Sequence, residues 1–225
     1  MASPVPIARR IFLAGSAAML CASCGDTWVD DMTSAARTYL MKGDDLHLTR
    51  ADITRIPYAS IAVRLGDGPQ ALLILARFDG DDLHWVSAQR EVIVTRRGRV
   101  VETYGLPIDL KRTQFLTNDP VGRPARTMEA DIECLRTIDL EPQHVDGILI
   151  RSRFAGGGSE DLAILGDHRK TSAWTETNAA PDLAWNFKNQ YWSDARSGFV
   201  WRSLQYLSPQ LPVLEIIVYK PPITA

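Results

Sequence analysis

Residues 91–105, EVIVTRRGRVVETYG, constrain the fold more than any other stretch of the chain. Two runs rich in Val, Ile and Thr flank the pair Arg97-Gly98. β-Branched side chains lose rotamer freedom in a helix and pack well on a pleated surface. A glycine-containing loop between two such runs predicts an antiparallel hairpin. The same period of two recurs along the chain. Ile61, Val63 and Leu65 alternate with Ala62 and Arg64, and residues 66–69 (GDGP) form a turn. Residues 70–78 are apolar on both faces from Leu72 to Leu75, which predicts a central strand covered on both sides. Residues 79–82 (DGDD) turn the chain again, and residues 83–88 return.

A loop rich in Pro, Gly and Arg (residues 106–126) precedes a second half in the same style. Residues 127–140 alternate as one long strand. Residues 148–154 and 162–165 flank AGGGSED, which reads as a flexible turn with Gly156-Gly157-Gly158 at its tip. Residues 174–177, 189–192, 199–207 and 213–219 complete the set. Short strands separated by regular turns predict an all-β fold, an antiparallel sandwich or open barrel. A faint echo between WVSAQREVIV and WSDARSGFVW allows two similar β-units. A short helical segment precedes them. Met32, Ala35, Ala36, Tyr39 and Leu40 share one helical face, with Asp30 or Asp31 as its cap and Gly43 at its end. A second helical turn starts at Thr49, with Asp52 completing a partial capping box.

The N-terminus carries an address. Residues 9–26 read RRIFLAGSAAMLCASCGD, with an apolar run over residues 11–22. A membrane-spanning helix needs about 20 apolar residues, so this run is too short to cross. Arg9 and Arg10, the apolar run and the small residues after it form a secretory signal over residues 1–23. The arginine pair followed by Ile11-Phe12-Leu13 also looks like a twin-arginine export signal. Ala22-Ser23-Cys24 resembles the lipobox of bacterial lipoproteins, although Cys21 stands where Leu is usual. Cys24 is then the lipidation site, its sulfur carrying a diacylglyceryl group and its amine a third acyl chain such as palmitate. Each buried methylene contributes about 0.8 kcal/mol, so these chains hold the protein to a membrane. The expected organisation is signal peptide 1–23, lipidated tether and short helix 24–48, and a single β-rich domain 49–225.

Charge and chemistry exclude several classes. The formal net charge is −2 and no basic stripe is present, so no nucleic-acid partner is expected. Once Cys21 is removed and Cys24 acylated, Cys134 is the last of the three cysteines and has no disulfide partner. It alternates with Met128, Ala130 and Ile132 and reads as a small buried hydrophobe. His47, His84, His144 and His168 have no ligand spacing that would hold zinc. Asp79, Asp81 and Asp82 begin like a calcium loop, but Arg90 occupies the position of the bidentate Glu, so they read as a polar turn. Phosphate-loop and nucleophile-elbow motifs are missing, and neither metal nor cofactor is expected.

Aromatic residues concentrate late in the chain. Trp174, Trp185, Trp192 and Trp201 lie near Phe187, Tyr191, Phe199 and Tyr206. Such rings either fill a β core or stack on sugars, with polar neighbours reading hydroxyls. The glycan-contact candidates are Trp192, Asp194, Arg196, Trp201 and Gln205. Glu176 and Asp194 are the carboxylate pair a glycan hydrolase would require.

Three stretches, RADITRIPYASIAVRLG, LHWVSAQREVIVTRRGRVVETYGLPIDL and NQYWSDARSGFVWRSLQYLSPQLPVLEIIVYKP, stand in the order seen in YjbF/GfcB-type lipoproteins. The chain resembles that family over residues 49–221. Its most specific part is Tyr191-Trp192, Gly198-Phe199-Val200-Trp201, Ser203, Gln205, Pro209 and Lys220-Pro221. The family is associated with group 4 capsule and other exopolysaccharides of Gram-negative bacteria. The resemblance implies a mostly antiparallel β fold, a periplasm-facing lipid anchor and an accessory role in polysaccharide assembly or secretion. That role would be filled by binding glycan or by docking a secretion partner. It supplies no catalytic residues. Gly25 after the lipidated cysteine, rather than Asp, favours the outer membrane. The alternatives are a glycan-modifying hydrolase and a structural adaptor without a glycan ligand.

Overall fold

A computed structural model describes residues 45–125, 132–142 and 144–223. Among them one α-helix, α1 (Arg50–Arg55), precedes twelve strands. These are β1 (Ser60–Leu65), β2 (Ala71–Asp79), β3 (Asp82–Ser87), β4 (Val92–Arg96), β5 (Arg99–Tyr104), β6 (Asp109–Phe115), β7 (Ile132–Glu141), β8 (Val145–Ile164), β9 (Asp167–Ala180), β10 (Trp185–Ser193), β11 (Val200–Gln205) and β12 (Leu214–Lys220). The all-β expectation holds. Thr49 and Asp52 cap α1 reciprocally, as their spacing predicts. The helix expected around residues 32–40, and the first part of the strand expected from residue 127, lie outside the described residues.

The topology is a meander that nearly closes. β12 pairs antiparallel with β1, so the sheet order runs β5-β4-β3-β2-β1-β12-β11-β10-β9-β8-β7-β6. Only the β5–β6 step lacks a ladder, and side chains bridge that seam. Thr103 Oγ1 donates to Asp109 (3.0 Å) and accepts from the Leu110 N–H (2.9 Å). Asp109 also accepts from the Gly105 and Leu106 N–H groups (3.0 Å each). Gln205 reaches from β11 to β5. Its Oε1 accepts from the Val100 N–H, and its Nε2 donates to the Gly98 carbonyl, both at 3.0 Å. The exposed edge that a free strand would present is therefore partly satisfied from inside.

The hairpin at Arg97-Gly98 forms as the sequence predicts. Both residues have positive φ (53° and 97°), the conformation of a two-residue primed turn whose twist matches the strands. Inward-facing Ile61, Leu73, Trp85, Ile93, Ile138, Ile150, Leu214 and Ile216 build the principal core. Burying one such aliphatic side chain contributes roughly 1.5–3 kcal/mol. β2 departs from the expected double coverage. Leu73 is buried, but Ile74 is 36 % exposed, because among the described residues no layer packs outside this part of the sheet.

AGGGSED is not a turn. β8 runs unbroken for 20 residues, and its hairpin with β9 turns at Leu165-Gly166 (φ 50° and 83°). The triple glycine instead sits at a register shift between Gly156 and Gly158, opposite Trp174 and Ala173. A glycine run marks a bulge as readily as a turn, and the pairing partner decides between them. Beyond the bulge the hairpin lies over the outer face of the neighbouring strands. Leu162 and Ile164 pack with Trp192, Leu204, Ile217 and Tyr219. Arg50 of α1 forms an ion pair with Asp167 near the hairpin end.

Gly98 tests this closure. A Cβ built there would stand 2.5 Å from Val200 Cβ, whereas one at Gly80 (φ 59°) would meet nothing within 4 Å. Gly98→Ala should destabilise the protein by about 2–3 kcal/mol in urea unfolding, and Gly80→Ala by about 1 kcal/mol.

Candidate functional site

An antiparallel meander places alternate turns at the same rim. The β2–β3, β4–β5 and β10–β11 turns meet there, together with the residues that follow β12. Between them the barrel opens into a cavity of about 380 Å³. Phe78, Leu83, Trp85, Phe199 and Trp201 line it, with Ile216 and Val218 from the strand wall. Asp81, Arg97 and Ser197 supply its polar groups. Arg97 pairs with Asp81 at 2.9 Å across two of the turns. Phe199 and Trp201 meet edge to face, 4.7 Å between centroids, and the Arg169 guanidinium lies 4.0 Å from the Trp201 ring centre. Phe78 is 54 % exposed, so part of the aromatic lining faces solvent.

The β10–β11 turn is built by Asp194. Its Oδ1 accepts from the Ser197 N–H (2.7 Å), the Ser197 hydroxyl (2.8 Å) and the Arg196 N–H (3.0 Å). The Ser197 N–H and hydroxyl are the main reason its carboxyl titrates below the ordinary range. Gly198 (φ 80°) lets the turn lie against another loop, since a Cβ there would stand 2.5 Å from the Gly122 carbonyl oxygen.

The expected contact residues divide between locations. Trp201 lines the cavity, and Asp194 and Arg196 sit in the turn that forms part of its rim. Trp192 lies on the outer face under the β8–β9 hairpin. Its Nε1 donates to Glu160 (2.6 Å), and Arg202 stacks on its ring at 4.7 Å. Gln205 is 2 % exposed and occupied in bonding β5 and Ser203. Trp185 stacks on Phe187 at 3.7 Å, and Trp174 packs beside Phe154 and Tyr191. The late aromatics therefore do not share one surface. Nor are the two echoing tryptophans equivalent, since Trp85 points inward and donates to Thr95 Oγ1 at 2.8 Å.

Beside the apolar core lies a charged cluster that the sequence reading missed. Arg99, 2 % exposed, donates from Nε and Nη2 to Asp119 (2.8 and 2.9 Å). It also donates from Nη1 and Nη2 to Glu176 (3.0 and 2.9 Å). Arg136 donates to Glu176 at 2.8 Å and also bonds Ser152 and Asn178. Asn189 (2.8 Å) and the Tyr191 hydroxyl (3.1 Å) complete the shell of Glu176. The rings of Phe115, Phe154 and Tyr191 lie 5.7–5.9 Å from the Arg99 guanidinium. The visible sign was Arg136, which continues the inward alternation of Ile132 and Cys134 where an apolar residue belongs.

Burial alone would raise the Glu176 pKa, but the Arg136 and Arg99 charges outweigh it and hold the carboxyl well below the usual range. Burial also pushes the Tyr191 hydroxyl well up. A glycosidase acid needs a raised pKa and a partner across a cleft. Glu176 is enclosed and saturated with donors, Asp194 caps a surface turn, and both carboxyls are shifted down. The structure thus does not assemble these two residues as an acid–base pair. Cys134 is fully buried, as its alternation predicts, and burial raises its thiol pKa. Asp79, Asp81 and Asp82 are paired with Arg77, Arg97 and Arg96 in their polar turn. Among the described residues no group of three or more His, Cys, Asp or Glu is placed to hold a metal, and no helix is long and apolar enough to cross a membrane.

Glu176 also makes stability depend on pH. In the unfolded chain it protonates near pH 4.3, whereas in the fold it stays ionised to lower pH. Its contribution is complete above that unfolded value and is lost as pH falls toward the folded one, by about 1.4 kcal/mol per unit. Glu176→Gln should cost about 3–5 kcal/mol at pH 7, because two buried guanidiniums lose their counter-charge. It should also flatten the acid limb of a stability–pH curve by about one proton.

A family model described as group 4 capsule polysaccharide lipoprotein GfcB, YjbF matches residues 33–218. The uncharacterized lipoprotein YjbF of Escherichia coli (strain K12) is 30% identical over 163 residues, covering 72% of this chain and 75% of that protein. The uncharacterized lipoprotein GfcB of the same organism is 25% identical over 192 residues, covering 84% and 89%. A crystal structure of the hypothetical lipoprotein YmcC from Escherichia coli (K12) shares the fold. Its TM-score is 0.71 at 24% identity, with 87% of this chain and 97% of that one covered. By the extent of the family match and by its identity to YjbF, this chain belongs to the YjbF family of group 4 capsule polysaccharide lipoproteins.

Proposed function

We propose that this protein is a lipid-anchored envelope accessory of capsule or exopolysaccharide secretion, and that it holds a saccharide segment in the mouth of its barrel. The observation that carries this reading is the cavity of about 380 Å³ walled by Phe78, Trp85, Phe199 and Trp201 and edged by polar side chains. Its size falls within the roughly 300–1,000 Å³ of small-molecule sites. Aromatic faces accept the apolar C–H faces of sugar rings, and Ser197, Arg97 and Asp81 offer donors and acceptors for hydroxyls. The family's printed description supports the polysaccharide context.

The anchor is Cys24, exposed after export directed by Arg9 and Arg10, and Gly25 beside it favours the outer membrane. Held at a membrane, the site acts at high local concentration, so weak contacts suffice. The polymer passes from the mouth to the secretion machinery without being cut.

Two measurements test this reading. Intact-mass analysis of the native protein should find acyl mass on a chain starting at Cys24, and Cys24→Ser should abolish it. Tryptophan fluorescence titrated with fragments of the host polysaccharide should report binding that Trp201→Ala weakens about tenfold and Trp174→Ala leaves unchanged, since a lost ring contact is worth about 0.5–1.5 kcal/mol. Equal affinity in all three proteins contradicts the mouth as the site. Recovery of an envelope protein in place of glycan binding supports the adaptor reading instead.

A further inference from the structure

A second cavity, about 620 Å³, lies on the outer wall across β7–β10. Strand register fixes its form. Arg153, Thr177 and Lys188 are direct neighbours across β8, β9 and β10. Two residues along, Arg151, Ala179 and Asn186 are neighbours in the same way. β9 thus contributes short side chains and the flanking strands long ones. Adjacent strands stand about 4.8 Å apart, so the β8 and β10 walls are separated by about 10 Å. The result is a trough running along β9.

The trough is cationic. Arg151, Arg153 and Lys188 are all exposed. Arg153 shares Glu133 with solvent at 2.9 Å, while Arg151 and Lys188 have no ion-pair partner among the described residues. Arg151 and Arg153 place two positive charges on one face of one strand, a local field that attracts anions. The chain as a whole is slightly acidic, so this is a local feature and not a general one. The backbone of β8–β10 is already committed to ladders on both sides of β9, which leaves no edge for an extended peptide to join. A ligand must be read by side chains. Guanidinium forks match carboxylates, an ammonium supplies a point charge, and Thr177 and Asn186 offer hydroxyl and amide bonds.

We propose that this trough binds a carboxylate-bearing saccharide chain, its acids on Arg151 and Lys188 and its hydroxyls on Thr177 and Asn186. The choice of a saccharide rests on the function proposed above, whereas the site is separate from the mouth. The trough selects polymer by charge, and the mouth takes a ring by stacking.

Calorimetry on the full processed protein in detergent tests this, with polygalacturonate oligomers, neutral dextran oligomers and poly-glutamate as ligands. Polygalacturonate should bind, should weaken at least tenfold in Arg151→Glu/Lys188→Glu and more modestly in Arg151→Gln/Lys188→Gln, and should be unchanged by Trp201→Ala. Raising salt from about 20 to about 200 mM should weaken it further, as expected for exposed charges. Dextran should not bind here. Affinity within about twofold of the unaltered protein in both double variants overturns the proposal, as does poly-glutamate binding as tightly as polygalacturonate. Polygalacturonate binding that is unaltered in both double variants, with Trp201→Ala still weakening binding of the host polysaccharide, refutes only this inference. The reverse pattern refutes only the mouth.

Discussion

The guanidinium of Arg99 ties the structure together. It sits on β5, at one end of the sheet, and grips Glu176 on β9 and Asp119 in the connection that follows β6. A twelve-stranded meander encloses a wide interior, and apolar side chains alone must meet across it to exclude water. Here the cross-barrel contact includes charge. Taking such ions out of water costs several kcal/mol each, and only complete pairing offsets that. Arg99, Arg136, Glu176 and Asp119 have that pairing, with Asn189, Tyr191 and Ser152 filling the remaining positions. The consequence is specificity of register. A one-residue slip of β5 or β9 would turn a charged group outward and leave its partner buried alone.

Closure in turn creates both surfaces for which binding is proposed. Bringing β12 onto β1 and β5 toward β6 gathers the turns of one rim around an aromatic mouth. Gly98 and Gly198 permit their turns to lie directly on neighbouring chain. The same alternation that points Glu176 and Asn178 inward points Thr177 and Ala179 outward, where they floor the trough between β8 and β10. Inner charge and outer charge are thus alternate positions of one ladder. The bulge at Gly156–Gly158 lets the long hairpin cover Trp192, which therefore packs against protein and not against solvent.

What the sequence revealed depended on range. Arg97-Gly98 and the Thr49–Asp52 cap were legible because their geometry is settled within a few residues. The triple glycine is ambiguous in sequence because bulge and turn have the same composition, and Trp174 across the ladder decides between them. Leu72 to Leu75 looked doubly buried because apolar character does not say whether a second layer exists. Glu176 was noticed as an acid but not as the centre of a cluster, since its partners lie 77 and 40 residues away. The mouth draws Phe78 and Trp85 from the first half and Phe199 and Trp201 from the second, a meeting that only barrel closure produces. The lipidation site expected at Cys24 lies outside the described residues.

Native-state hydrogen exchange examines the cross-barrel tie most directly. If Arg99 on β5 and Glu176 on β9 bind the two halves of the sheet into one cooperative unit, the slowest amides of β4–β5 and of β9–β10 will share one opening free energy, within about 1 kcal/mol, and that energy will equal the global stability. If β1–β5 amides open several kcal/mol more readily than those of β8–β10, the sheet behaves as two independent halves and the tie does not exist.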